Sequence, residues 1–202
     1  MAKKRTSIPK QTAEAVMKEY RHKCAVCGRH SPQLHHLNED PADNDANNLL
    51  PLCPNCHLQD AHDPTNRPEP KKLRLFRKFK DPLILDPRFH PIYRRMTFLQ
   101  DQIGTPNTSI YKYRADELLH FIGQFQMGVF YKGKILDLLN NHHVHFCLKR
   151  MIEGNPVEKA KVQSDPILRS EAFEHRNEQI ETLIVELIRY QGWVAKSTQP
   201  EL

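Results

Sequence analysis

No apolar run in the sequence approaches the ~20 residues that a membrane-spanning helix requires. The opening stretch, MAKKRTSIPK, lacks the apolar core of a secretory signal. These two absences leave a cytoplasmic protein without a membrane partner as the expectation. No segment repeats at a fixed period and no long low-complexity tract occurs, which excludes solenoid and fibrous architectures. Carboxylates are scarce in two places. From Met1 to His30 only Glu14 and Glu19 stand against eight basic residues, and from Arg67 to Lys80 only Glu69 stands against seven. Each stretch is net +6, as is the whole chain of 202 residues, so the remainder must be net acidic. Positive charge concentrated in this way suits a polyanion such as a phosphate backbone, although either run alone also reads as a solvated polar segment.

Five cysteines are present, and four of them form two Cys-x-x-Cys knuckles, Cys24/Cys27 and Cys53/Cys56, with 25 residues between the inner pair. In a reducing compartment such pairing is explained by a metal rather than by disulfides. Two knuckles that each supply two thiolates from a tight turn fit a tetrahedral structural Zn2+, and Gly28 after Cys27 fits the turn. A small unit has too little apolar surface to hold itself together, and metal binding coupled to folding makes up the difference. Cys147 is left over and reads as a small buried apolar residue.

The order of elements around the knuckles follows from composition. Ser7-Ile8-Pro9 reads as a helix start with Ser7 as N-cap, and Ala13, Val16, Met17 and Tyr20 have helical spacing. A short strand is expected over His30 to His36, then a loop rich in turn formers from Asn38 to Asn48, a second strand over Leu49 to Leu52, and a helix opened by Pro54. Three prolines between Pro64 and Pro70 end this module, and residues 67–91, basic and punctuated by proline, read as a linker pinned to a partner surface. Its Lys71, Lys72, Arg74, Arg77, Lys78 and Lys80 are the candidate nucleic-acid contacts.

Residues 92–202 turn helical. Helices are expected over His90–Gln102, Tyr113–Met127, Lys132–Asn140, His145–Ile152 and Ser164–Tyr190, the last with an apolar stripe of Phe173, Ile180, Leu183, Ile184, Leu187 and Ile188. The opposite face, with Glu171, Glu174, Glu178, Glu181 and Glu186, is too acidic to meet DNA. His142, His143, His145 and Cys147 look like ligands in composition only.

The remaining chemistry lies in His35, His36 and His57. Phosphodiester hydrolysis needs a deprotonated water and a cation to neutralise developing charge. Adjacent residues on a strand point to opposite faces. His35 and His36 therefore divide most simply into one ligand and one base.

The string Cys24-Ala-Val-Cys27-Gly28, followed by Leu34-His35-His36 and by Asn48-Leu-Leu-Pro-Leu-Cys53-Pro-Asn-Cys56-His57, resembles the HNH endonuclease family. The similarity covers about the first sixty-five residues. It implies a zinc-stabilised ββα-metal module over 1–66, which, followed by the linker over 67–91 and the mainly α-helical domain over 92–202 read from the residue pattern, makes the expected chain α+β. It also implies that His36 is the general base, that His35 and His57 bind a catalytic divalent metal, Mg2+ or another, and that Asn48 braces the loop that orients the base. Many members carry a further histidine one turn after the helical ligand; here that position is Ala61, flanked by Asp60 and His62, which become the candidate third ligands. The expected function is DNA cleavage, by analogy as the effector of a bacterial restriction or phage-defence assembly joined through the C-terminal helices, or as a homo-oligomer. The alternative is a catalytically inactive zinc-dependent module that binds nucleic acid or protein.

Overall fold

The computed structural model describes residues 7–61, 70–99, 108–150 and 166–197. The chain is mixed α and β, mostly helical, with one two-stranded sheet, and divides into two compact units, Met1–Tyr93 and Arg94–Leu202. No helix among the described residues is long and apolar enough to cross a membrane.

In the first unit, helix α1 spans Lys10–Glu19 and buries Val16. Its N-cap is Pro9 rather than Ser7, and no side chain caps the helix. The Pro9 carbonyl takes the first helical bond, from the Ala13 N–H at 3.0 Å, while the Ser7 carbonyl faces the Asn44 amide. The helix stops through two successive left-handed residues, Arg21 (φ 53°) and His22 (φ 55°), whose N–H groups return to Lys18 and Met17 carbonyls. A non-glycine residue in this region costs about 1–2 kcal/mol. These bonds and the Lys23–His30 bridge that follows offset the cost and turn the chain into the first knuckle.

Strands β1 (Gln33–His36) and β2 (Leu49–Leu52) are antiparallel, with Gln33 opposite Leu52, Leu34 opposite Pro51, His35 opposite Leu50 and His36 opposite Leu49. β1 is shorter than the sequence leads one to expect because His30 is taken up by the bridge to Lys23 and Ser31 adopts a left-handed φ of 60°. Pro51 is tolerated in β2 because the sheet has only two strands, and its carbonyl accepts the Ala25 N–H at 2.8 Å. Helix α2 (Pro54–Ala61) follows at once.

Where the sequence reads as a pinned linker, residues 70–91 hold a helix and two proline-led turns, and the first compact unit runs to Tyr93. Helix α3 spans Pro70–Phe79, and single 3-10 turns follow at Pro82–Leu85 and Pro87–Phe89 before helix α4, His90–Arg95. Asp81 and Asp86 cap the two turns by accepting the Leu83 and Arg88 N–H groups, and the proline after each aspartate sits in the first turn. Leu73, Leu75, Phe76, Ile84, Phe89, Ile92 and Tyr93 are buried, and the Tyr93 hydroxyl donates to the Ile84 carbonyl at 2.8 Å. Lys71 and Lys72 (3 % exposed each) and Arg77 (8 %) are buried as well, which removes them from any phosphate-binding surface. Their apolar stems join the core face of α3.

The second unit contains α5 (Thr108–Ile122), α6 (Gly128–Arg150) and α7 (Pro166–Ser197), with α6 packed on both α5 and α7. The helices expected at 132–140 and, as far as Arg150, at 145–152 are parts of α6, since the intervening Asn141-His142-His143-Val144 holds neither proline nor glycine. Ile180, Ile184, Leu187 and Ile188 are buried as the stripe predicts, together with Val185, whereas Phe173 and Leu183 are half-buried. Arg176 is buried against the Phe173 ring, 4.3 Å from its centroid. Gly128, the first residue of α6, cannot be replaced without movement, because a Cβ there would lie 2.1 Å from the Ile122 carbonyl oxygen. His142, His143, His145 and Cys147 lie on α6, with side chains outside the described residues.

Candidate metal centre and the adjoining histidine site

Each knuckle is built by its own backbone. In the first, the Cys24 N–H donates to the Arg29 carbonyl at 2.8 Å and the Gly28 N–H to the Cys24 carbonyl at 2.9 Å, with Gly28 at φ 73°. In the second, the His57 N–H donates to the Cys53 carbonyl at 2.8 Å, so that Cys53 and Cys56 flank the start of α2. The Ala25–Pro51 bond brings the two knuckles together. The four Cys Sγ atoms then lie within 4.8 Å of one another, with Cys27 and Cys53 at 3.6 Å. That separation is far beyond a disulfide bond of about 2.05 Å. It is close to the roughly 3.8 Å between sulfurs at the corners of a tetrahedron with Zn–S near 2.3 Å. Cys24, Cys53 and Cys56 are buried and Cys27 is exposed.

The electrostatics of the cluster also favour a cation. The Cys56 N–H aimed at Cys53 outweighs burial and brings that thiol down to about 7. Burial and the neighbouring sulfurs push the Cys56 thiol up. At Cys27 the Arg29 N–H is the largest single influence and lowers the value, but burial and Cys53 together outweigh it and the thiol ends raised. Cys27 and Cys56 therefore resist ionisation beside Cys53, and a divalent cation at the centre of the cluster would remove that resistance. The chain holds a four-cysteine cluster that fits zinc.

Beside it, His35 on β1 and His57 on α2 meet edge to face, with ring centroids 4.9 Å apart and planes at 79°. His35 is 8 % exposed and His36 is half-buried. The alternation of the strand separates them: His35 meets α2, while His36 reaches the loop, where its Nε2 lies 3.1 Å from Asn44 Oδ1. An amide oxygen only accepts, so this contact puts a proton on Nε2, and in the neutral ring Nδ1 is then the acceptor nitrogen. Asn44 is held in turn by the Ser7 carbonyl, 3.4 Å from its Nδ2.

Asn48 ties the loop shut. Its Nδ2 donates to Asn38 Oδ1 and to the Asp43 carbonyl, both at 2.9 Å, and its Oδ1 accepts the Asn38 N–H at 3.0 Å. Its own carbonyl accepts the Leu37 N–H at 2.8 Å. Asn48 thus closes the loop through bonds to Asn38, Asp43 and Leu37, and the side-chain bond described for His36 is to Asn44. The sequence offers Asn44 only as one polar residue among many in a turn-rich loop.

Asp60 lies on α2 with its side chain outside the described residues, as is the whole of His62. Among the described residues the four cysteines are the one group of three or more side chains placed to share a metal ion. Of the six basic candidates, Lys78 and Lys80 are exposed and Arg74 is half-buried, while Lys71, Lys72 and Arg77 are not available to a phosphate. Lys72 Nζ instead lies 3.4 Å from His90 Nε2. No family model matches the chain, and neither a curated protein nor a solved structure is significantly similar to it.

Proposed function

We propose that the chain is a metal-dependent endonuclease of the HNH type that hydrolyses DNA phosphodiester bonds. The observation that carries this reading is the placing of three histidines around one sheet end: His35 and His57 ring to ring, and His36 turned the other way with Nδ1 left as its accepting nitrogen. His36 takes the proton from the attacking water at Nδ1, and Asn44 fixes the tautomer that permits it. His35 and His57, with Asp60 or His62 as further ligand, hold a divalent cation that neutralises charge on the phosphate as the bond breaks. The four cysteines hold zinc and keep β1, β2 and α2 in place. Exposed cations on α1 and the first knuckle, Lys10, Lys18, Arg21, Lys23 and Arg29, with Lys78 on α3, supply the docking charge in place of the buried lysines. The second unit presents Tyr113, Val129, Phe130 and Trp193 to solvent, in keeping with a role as effector within a restriction or phage-defence assembly.

The test is cleavage of supercoiled plasmid in magnesium, manganese, nickel or zinc by wild type and His36→Ala. Cleavage should depend on the added metal and fall by about 10²–10⁴ in the variant, with zinc content and circular dichroism unchanged. Equal cleavage by the variant would remove His36 from the mechanism. The second reading, an inactive zinc-dependent binding module, is favoured by Ala61 on α2, where a further ligand one turn after His57 would stand. Salt-dependent DNA binding by the wild type with no cleavage in any of the four metals would establish it instead.

A further inference from the structure

Arg77 has a role that its place in a basic run conceals. Its guanidinium is buried and fans out to three acceptors on two segments. Nη1 contacts Glu19 Oε2 at 2.8 Å and the Tyr20 hydroxyl at 3.0 Å, both at the end of α1, and Nη2 donates to the Ala46 carbonyl at 3.1 Å. The guanidinium carbon also lies 5.4 Å from the centroid of the Tyr20 ring. Lys80 takes the other Glu19 oxygen, so the carboxylate is shared between Arg77 of α3 and the residue that follows the helix. Burial opposes charge on Arg77, but the Tyr20 and Glu19 contacts outweigh it and hold the group protonated.

Ala46 opens the 3-10 turn Ala46–Asn48, which α1 and α3 both contact. That turn ends in Asn48, whose side chain closes the loop from Asn38 to Asp43 and so presents Asn44 to His36. Arg77 is the one of the six basic candidates whose side chain reaches this turn in the contacts described. A planar fork can serve three acceptors at fixed angles, whereas an ammonium on a flexible stem serves as a point charge.

We infer that Arg77 is a positioning residue: by pinning the Ala46 carbonyl to the end of α1, it sets the turn that carries Asn48 and thereby the loop that aims His36. The inference rests on the nuclease reading for its kinetic consequence, and on the bond network alone for its structural one. It also makes α3, which lies outside the stretch resembling the HNH family, a working part of the catalytic module.

The experiment uses the full chain with its zinc, as wild type, Arg77→Met, Arg77→Lys and Glu19→Gln. Three readouts are taken: cleavage kinetics on plasmid, DNA affinity against salt, and the ring nitrogen signals of 15N-labelled His36. For Arg77→Met, kcat should drop at least tenfold while KM and DNA affinity stay within twofold. The His36 ring, held in one tautomer in the wild type, should show exchange between tautomers. Arg77→Lys should recover little, and Glu19→Gln, which leaves the Tyr20 and Ala46 contacts in place, should lose less kcat than Arg77→Met. Weaker DNA binding with a salt slope reduced by about one, at unchanged kcat, would make Arg77 a phosphate contact and overturn the inference. Full recovery by lysine would overturn it too, since charge alone would then suffice. If the wild type cleaves nothing, the nuclease reading fails separately, and the nitrogen signals still decide whether Arg77 orders His36. Should Arg77→Met not fold, the same signals in Arg77→Lys decide it, a spectrum identical to wild type counting against.

Discussion

The cysteine cluster and the histidine site share one small sheet, yet they are assembled by different means. Each cysteine pair is delivered by a turn of a few residues whose backbone bonds close on themselves, and one further bond, Ala25 to Pro51, brings the pairs within 4.8 Å. The histidine site depends on long links: β1 to α2 for His35 and His57, an eleven-residue loop for His36, and α3 for the turn at the end of that loop. A locally encoded ligand set is complete within the described residues, whereas a site gathered from distant segments is only as well ordered as the contacts that gather it. The first should therefore govern whether the unit folds, and the second how well a folded unit works.

Removing the zinc should have the largest effect. Structural zinc sites in small peptides bind with roughly 10–16 kcal/mol of apparent free energy at neutral pH, as much as an entire domain's stability. Chelation, or Cys56→Ser, should abolish the tertiary signals of the first unit. The helices of the second unit, with cores of their own such as Ile180, Ile184 and Ile188 on α7, should persist in circular dichroism. Retention of a cooperative first-unit transition without zinc would break the distinction between scaffold and site.

His57→Ala probes the other side of the comparison. It should leave one tightly bound zinc and the melting temperature nearly unchanged, while weakening a second divalent site by at least about a hundredfold, given that changes behind the ligands alone cost about 10–100-fold. Metal titration by calorimetry on desalted protein checks both. Loss of the tight zinc in this variant would mean that the two sites are one.

The same contrast explains what was legible in the sequence. The knuckles, both strands around the loop and the proline that opens α2 follow from spacing and turn chemistry, and the four sulfurs meet as the knuckles imply. The opposed orientation of His35 and His36 follows from the period of a strand. The 67–91 segment was not legible, because its prolines resemble linker punctuation. Asp81-Pro82 and Asp86-Pro87 are in fact cap-plus-first-turn pairs, and reading each proline together with the aspartate before it would have found the turns. Nor does a run of cations reveal which of them are buried. The inward turn of Arg77 is decided by partners such as Glu19 and Ala46, tens of residues away. Asn44 was missed for a similar reason, since nothing in a loop of alternating Asn and Asp marks the one that faces a histidine.

The smallest predicted effect isolates the link between α1 and α3. Burial alone would raise the Glu19 carboxyl, but hydrogen bonds from Lys80 and Arg77 outweigh it and hold the group below its ordinary range. A carboxylate depressed in the folded state stabilises fully above the unfolded value of about 4.3, and that contribution is lost as pH falls through the lower folded value. Thermal melts of wild type should therefore weaken on acidification below about pH 5 more steeply than those of Glu19→Gln, by up to about 1 kcal/mol, the figure being held down by partial exposure of the carboxylate. Zinc ligands protonate in both proteins, so their effect cancels in the difference. Parallel melting curves for the two would show that the Glu19 ion pairs contribute nothing net and that the Ala46 and Tyr20 contacts alone secure Arg77.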